Sequence, residues 1–332
     1  MDLEPGIKLS VSLITYNQKD YIRQAIDGVL KQKTNFRYEL IIGDDCSTDG
    51  TREILMRYRE ENPDIIRLIL HPERNKGIPG KLNFISTLKA ATGKFLALID
   101  GDDYWINNQK LQKQVDFLEQ HPDYAVCCHD VFHRKNNKNY RSGHEVPVDS
   151  DISYLLRKGN YISTPSVMYR NDSGMAAFME QFPDASFGDY LMNINAALMG
   201  KIKFMKERMA VYRIHSGGVW SKLSFEESFI KTISVIEMLF DYFNDKKYKD
   251  DLKIQLLGIL DELLWIKEFR GLAEHPSLIR IMTKMGIPDF IPEYLKFNSI
   301  ERSTSSYFSQ NVPVPVLAKA LKQRMTNKIF KR

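Results

Sequence analysis

The sequence predicts an α/β fold, a mostly parallel sheet covered by helices and followed by a helical C-terminal extension. Short apolar runs with strand character alternate with segments of helical spacing through the first hundred residues. Those runs are almost continuously apolar, as strands buried on both faces require. Near residue 223 the composition shifts towards long helical stretches, which divides the chain into a domain over residues 1–222 and a helical region with a basic tail over residues 223–332.

The first unit is KLSVSLITYN (residues 8–17), a β-rich run ending in a polar turn, followed by KDYIRQAIDGVLKQ with Ile22, Ile26, Val29 and Leu30 at helical spacing. YELIIGDDCSTDGT forms a second strand that stops at Asp44 and Asp45, and Ser47, Thr48 or Asp49 is placed to cap the helix TREILMRYREEN. IIRLILHPE (65–73) leads through NKGIPG to the helix KLNFISTLKAATG, and FLALIDGDD opens a fourth strand. LQKQVDFLEQHP then reads as a helix and YAVCCHDVFH as a strand. HRKNNKNYRSGHE is polar and basic, an exposed loop or hairpin tip. From 151 to 222 the elements are shorter and mixed. SFEESFIKTISVIEMLFDYF and DLKIQLLGILDELLWIKEFRGL are two long helices, and no internal repeat is present.

The 332 residues, 43% hydrophobic, describe an ordinary globular chain. Its apolar runs fall far short of the roughly 18 residues a spanning helix needs. MDLEPGIKLS lacks the basic and apolar regions of a signal peptide, so a cytoplasmic protein is expected. Cys46, Cys127 and Cys128 are few, odd in number and without CxxC spacing, which argues for reduced thiols and against a zinc site or disulfide framework. A net charge of +5 permits an anionic partner but is too diffuse to name one, and no nucleic-acid partner is expected.

In open sheets of this kind ligands sit beyond the carboxyl ends of the strands. Three polar strand ends are expected to meet there: Thr15, Tyr16 and Asn17; Asp44 and Asp45; and Asp100 to Asp103. Asp100, Asp102 and Asp103 repel one another unless a cation or donors offset the charge. Hard cations such as Mg²⁺ and Mn²⁺ take oxygen ligands and are commonly held by one or two carboxylates plus substrate phosphates. The competing reading is a solvated acidic turn with Asp103 capping the next helix.

VSLITYN, IIGDDCSTDGT, ATGKFLALIDGDDYW and the later FGDYLMNINAALMGK, taken in that order and spacing, resemble the inverting family 2 glycosyltransferases of the GT-A fold. The likeness covers roughly residues 8–222. It implies a nucleoside-diphosphate sugar donor, a divalent metal (Mn²⁺ or Mg²⁺) bridging the diphosphate, and transfer to an acceptor hydroxyl with inversion. Residue by residue, it sets Thr15 and Tyr16 against the base and ribose, and Asp45 to accept a hydrogen bond from the base. The N–H of uracil suits that carboxylate, favouring a UDP-sugar. Lys81, with Asn83 beside it, is implied near the diphosphate. Asp100 is implied at the ribose hydroxyls or the metal's outer shell and Asp102 at the metal, while Asp103 shares that coordination or orients a neighbour. Tyr104 and Trp105 are expected to pack beneath the site.

The resemblance also makes Asp189, opening a helix whose apolar face runs through Leu191, Ile194, Leu198 and Met199, the base that takes the acceptor's proton. Gly188 stands where many relatives have glutamate. VYRIHSGGVWS (211–221) corresponds to a loop that closes over the donor, with His215 completing the metal sphere or contacting the diphosphate and Gly217 and Gly218 letting the backbone bend close to phosphate. STPSVMYRN (163–171) begins the acceptor wall. The acceptor implied is a saccharide or lipid-linked saccharide in cell-surface polysaccharide or lipopolysaccharide assembly.

Rival enzymes fit less well. DGDDY approximates a haloacid-dehalogenase nucleophile motif, but Tyr104 occupies its Thr/Val position and two strand–helix units precede it. No GxGxxG follows the first strand, which argues against a dinucleotide-binding dehydrogenase, and ITYNQKDY lacks the Gly-rich basic loop of a nucleotidyltransferase. A catalytically silent nucleotide-sugar-binding or assembly protein is the remaining alternative. In the tail, Leu317, Leu321, Met325 and Ile329 recur every four residues among basic side chains from Lys319 onward, which suits peripheral contact with an anionic membrane at its inner face, or equally a solvated or oligomer-forming helix.

Overall fold

The computed structural model describes residues 6–141, 145–172, 174–186, 188–219, 221–265, 272 and 275–287. The chain divides into two compact units, Met1–Leu223 and Ser224–Arg332.

In the first unit the elements run β1 (Leu9–Thr15), α1 (Ile22–Leu30), β2 (Tyr38–Asp44), α2 (Thr51–Glu61), β3 (Ile66–Leu70), α3 (Lys81–Ala90), β4 (Phe95–Asp100) and β5 (Tyr104–Trp105). They continue with α4 (Lys110–Gln120), β6 (Tyr124–Lys135), β7 (Lys138–Arg141), β8 (Asp149–Ser150), α5 (Ile152–Lys158), a 3₁₀ turn at Thr164–Ser166, β9 (Met168–Arg170), α6 (Gly174–Glu180), α7 (Gly188–Ala197) and β10 (Lys201–Ile214). The sheet order is β3-β2-β1-β4-β9-β6-β10-β5, with β7 beside β6 and β8 beside β10. The pairs β1–β2, β1–β4, β2–β3 and β6–β10 are parallel, while the short strands β5, β7, β8 and β9 join antiparallel.

Alternation explains β1. Leu9, Val11 and Leu13 are fully buried on one face against Ile22, Ile26 and Val29 of α1. Ser10 and Ser12 are buried on the other, where Ser10 Oγ donates to Glu39 (2.7 Å) and Ser12 shares a hydrogen bond with Thr87 (2.7 Å). Each buried hydroxyl is thereby satisfied.

The observed elements agree with the expected α/β class, with two differences. No side chain caps α2: its N-cap is Gly50 at φ 102°, and Asp49 Oδ1 instead accepts from Thr51 N (3.0 Å) and Thr51 Oγ1 (2.6 Å). The segment 151–222 is not uniformly short, since β10 spans 14 residues, its length hidden by Lys203, Lys206, Glu207 and Arg208 and by register shifts against β6. The basic segment is a hairpin tip, one of the two forms expected of it, β6 turning into β7 through Asn136 and Asn137 at φ 50° and 60°, the left-handed pair that matches strand twist.

The second unit holds α8 (Phe225–Tyr242), α9 (Lys246–Trp265) and α10 (Pro276–Lys284). Ser224 and Glu227 close a capping box at the start of α8. Leu239, Leu252, Leu256, Leu278 and Ile281 are buried, and Arg280 pairs with Glu237 (2.7 Å). Among the described residues no helix is long and apolar enough to cross a membrane. The expected amphipathic stripe from Leu317 to Ile329, its basic side chains, Phe187, Trp220 and residues 266–271 of the second expected long helix lie outside the described residues.

Candidate active site

Parallel pairing brings the polar strand ends into line, because Thr15 stands opposite Asp44 and Ile14 opposite Asp100. The ladder continues one residue past each strand: Asp45 N donates to Thr15 O and Gly101 N to Ile14 O, both at 3.0 Å. Gly101 is required for that approach. A Cβ there would stand 2.4 Å from Gln18 Oε1 and 2.8 Å from Thr15 Oγ1.

On the β2 side the two aspartates differ in what holds them. Asp44 is fully buried and pairs with Arg52 (2.7 Å), and it accepts from Ser47 N. Asp45 Oδ1 accepts from Asn75 N (3.0 Å) and Asn75 Nδ2 (2.6 Å), which leaves Oδ2 for another donor. The Arg74 guanidinium lies 4.1 Å from the Tyr16 ring centroid, a cation–π contact that fixes this ring beside Asp45. Thr15 is buried and donates to Gln18 (2.7 Å).

The acidic turn after β4 gathers Asp100, Asp102 and Asp103 with carboxylate oxygens within 4.8 Å of one another. Asp103 does not cap the next helix, whose N-cap is Gln109. Its Oδ1 accepts from Arg213 N (2.8 Å), and its Oδ2 is buried without a hydrogen-bond partner among the described residues. Burial pushes the Asp103 carboxyl well above the usual carboxylate range, and the Asp102 and Asp100 charges push it further. Asp100 is raised likewise, by burial first and then by Asp102 and Asp189. Asp102 Oδ2 lies 3.0 Å from His215 Nε2, and the Asp102 carbonyl accepts from the Arg213 guanidinium. Trp105 is buried, its Nε1 donating to Pro165 O (2.8 Å), and Tyr104 packs under Arg213 (4.4 Å), so both are packing groups as expected.

Asp189 sits in the first turn of α7, where its charge reaches Asp100, Tyr169 and Tyr212. Burial raises its carboxyl above the ordinary range. Its Oδ1 accepts from Tyr190 N (2.8 Å) and its Oδ2 from Asn160 Nδ2 (2.8 Å). Behind it runs a relay that sequence reasoning missed: Asn193 Nδ2 donates to Asn160 Oδ1 (3.0 Å), and the buried Tyr169 hydroxyl donates to Asn193 Oδ1 (2.7 Å). The local signal was Gly159 at φ 78°, a helix-ending glycine that turns Asn160 towards α7. Gly188 fits closely, since a Cβ there would meet Met179 Cε at 3.2 Å.

Lys81, implied near the diphosphate, is buried at the start of α3, its ammonium donates to the Phe182 carbonyl, and burial lowers its proton affinity. Asn83 likewise faces inward, donating to Gly43 O (2.8 Å). His215 packs 4.7 Å from the Tyr21 ring, and its Nδ1 accepts from Gly217 N (3.2 Å).

Residues 10–184 match the model of the family described as Glycosyl transferase family 2. The chain belongs to that family. An uncharacterized protein of Mycobacterium tuberculosis is 38% identical over 64% of this chain, and the match spans 60% of that relative's length. Among solved structures, residues 1–349 of Staphylococcus aureus TarS in complex with UDP-GlcNAc superpose with a TM-score of 0.61 at 21% identity, over 87% of this chain and 84% of that one. A mannosyltransferase of Pyrobaculum calidifontis in complex with GDP-Man and Mn²⁺ superposes with a TM-score of 0.53 at 15% identity, over 99% and 91%. The fold is that of these GT-A proteins.

Proposed function

We propose that residues 1–223 are the catalytic domain of a metal-dependent inverting glycosyltransferase, moving a sugar from a UDP-sugar to an acceptor hydroxyl. The observation that carries this reading is the convergence of the Asp100, Asp102 and Asp103 carboxylates at the turn after β4, with Asp189 of α7 near enough for its charge to act on Asp100. In this reading the turn binds the diphosphate and Asp189 is the base.

The residues fit a hard cation. Three carboxylates converge, and one buried oxygen, Asp103 Oδ2, lacks a partner. Asp102 and Asp103 would hold Mn²⁺ or Mg²⁺, with His215 beside Asp102, and the ion would neutralise charge growing on the leaving diphosphate. In the same reading Asp100 faces the ribose, Tyr16 covers the base, and Asp45 Oδ2 accepts the uracil N–H while Asn75 holds Oδ1. Lys81, tied to the Phe182 carbonyl, contributes through the wall it braces.

Asp189 accepts the acceptor's hydroxyl proton at a carboxylate oxygen as that hydroxyl attacks. Its raised proton affinity suits the task, because a base works best when its pKa approaches the working pH. Asn160 holds Oδ2 in place meanwhile. The acceptor is a saccharide or lipid-linked saccharide of surface-polysaccharide assembly, and the setting is cytoplasmic, with the basic tail as the candidate membrane contact.

A thermal-shift screen of UDP-, GDP- and dTDP-sugars with and without Mn²⁺ tests the donor. A manganese-dependent UDP-sugar response is expected, and a response to none of them sinks the proposal. Asp189→Asn separates enzyme from silent binder: donor binding should persist while transfer falls by about 10²–10⁴.

A further inference from the structure

The basic hairpin carries an electrostatic anomaly. From Val131 to His144 the sequence has no carboxylate, while Arg134, Lys135, Lys138 and Arg141 are all basic. Lys135 and Lys138 are exposed and stand directly opposite each other across the Asn136–Asn137 turn. Like charges so paired destabilise a hairpin, and hairpins usually avoid them. No ion pair relieves either lysine among the described residues.

Position makes the anomaly informative. Directly paired side chains share a face and the face repeats every second residue, so Lys135, Lys138, His133 and Tyr140 project together. Tyr140 is 50% exposed. Along β10, Tyr212 is the register partner of His133, and their rings lie 5.6 Å apart. The next residue, Arg213, donates its backbone N–H to Asp103. An aromatic strip therefore leads from the acidic turn to a paired-lysine tip. Aromatic faces suit the apolar faces of sugar rings, and paired ammonium groups suit an anion.

We propose that the Tyr212–His133–Tyr140 strip and the Lys135/Lys138 pair form an acceptor track for an anionic glycan chain bearing recurrent carboxylate or phosphate groups. This rests on the glycosyltransferase reading, because the strip has meaning only if transfer occurs at the acidic turn. An anion between the lysines removes their repulsion on binding, so the same pair that weakens the free hairpin favours the occupied one. The distribution of charge points the same way: carboxylates cluster at the acidic turn and cations at the far end of the strip.

Full-length protein and the Lys135→Gln/Lys138→Gln variant would be titrated with oligogalacturonate, with a glycerol-phosphate oligomer and with neutral maltooligosaccharide. Wild type is expected to bind at least one anionic oligomer, more weakly as salt rises, and the variant to lose about tenfold in affinity. The variant's melting temperature should hold or rise, since a repulsion has been removed, and its UDP-sugar response should be unchanged. Binding of neither anionic oligomer, or equal binding by the variant, overturns the track. So does loss of binding only to phosphatidylglycerol vesicles, which would make the hairpin a membrane contact. If the UDP-sugar response is absent in wild type, the glycosyltransferase reading itself has failed, a result distinct from intact donor binding without glycan binding.

Discussion

Lys110 has no exposed surface. Its Nζ donates to Gln114 Oε1 (2.7 Å) and lies 4.2 Å from the centroid of Trp105, the residue that follows the acidic turn. Burial lowers its pKa from 10.5 to about 7, with the neighbouring Cys127 and Cys128 pulling weakly the other way. Below pH 7 the lysine is protonated in both folded and unfolded chains, and the fold bears the full cost of the buried charge. Between about 7 and 10.5 the unfolded chain binds more protons, so stability rises with pH. At about 1.4 kcal/mol per pH unit that interval amounts to about 5 kcal/mol, of which about 2 kcal/mol is recovered between pH 7 and pH 9. Lys110→Met keeps the stem against Trp105 and removes the ammonium. It also leaves Gln114 Oε1 without its donor, at a pH-independent cost of about 1–3 kcal/mol. Urea denaturation followed by tryptophan fluorescence at both pH values should find the variant the more stable at pH 7, with the advantage shrinking by about 2 kcal/mol at pH 9. In the folded chain the neighbouring groups do not titrate in that window, since burial holds His129 well below 6.5 and raises Cys127 to about 12, and their titration in the unfolded chain is common to wild type and variant. A stability difference that is flat with pH would refute the reasoning.

Three other outcomes are expected. Mn²⁺ at a hundredfold excess over its dissociation constant should stabilise the protein by about 2.7 kcal/mol, readable as a rise in melting temperature that EDTA reverses and Asp102→Asn abolishes. Gly101→Ala should cost about 1–3 kcal/mol in a denaturation experiment, because its methyl group meets Gln18 and Thr15 inside van der Waals distance, and an unchanged stability would contradict that packing. Asn160→Ala removes the donor to Asp189 Oδ2 and the acceptor for Asn193, and should lower kcat more than KM while donor binding is preserved; a change in KM alone would remove Asn160 from its positioning role.

The first four strands and the turn after the fourth were legible because their information is local. Each of the first four strands ends where its polar residues begin, and parallel pairing then aligns Thr15, Asp44 and Asp100 without further help. The acidic turn could be found for the same reason. What stayed hidden depends on contacts between distant segments. Nothing near Asn75 in the sequence says that it will hold Asp45, thirty positions earlier, nor does Tyr169 announce a hydrogen-bonded relay to Asp189 through Asn193 and Asn160. Lys81 is a related case: nothing near it in the sequence says that it will be buried with its ammonium donating to the Phe182 carbonyl, 101 positions away. β10 was obscured because a strand rich in Lys, Glu and Arg lacks the apolar signature, although β6 supplies its partner along most of its length.

Asp102 and Asp103 are held from the end of β10. Arg213 N holds Asp103 Oδ1, the Arg213 guanidinium holds the Asp102 carbonyl, and His215 Nε2 meets Asp102 Oδ2. These contacts all come from one short segment, and all fall on the turn where burial first, and neighbouring charge second, raises Asp100 and Asp103. Any displacement of residues 213–215 therefore withdraws donors and positive charge from the acidic turn together. Tyr212, one residue earlier, packs on His133 of the hairpin strand. On the acceptor track proposed above, a ligand held by the hairpin would therefore act on the segment that holds Asp102 and Asp103.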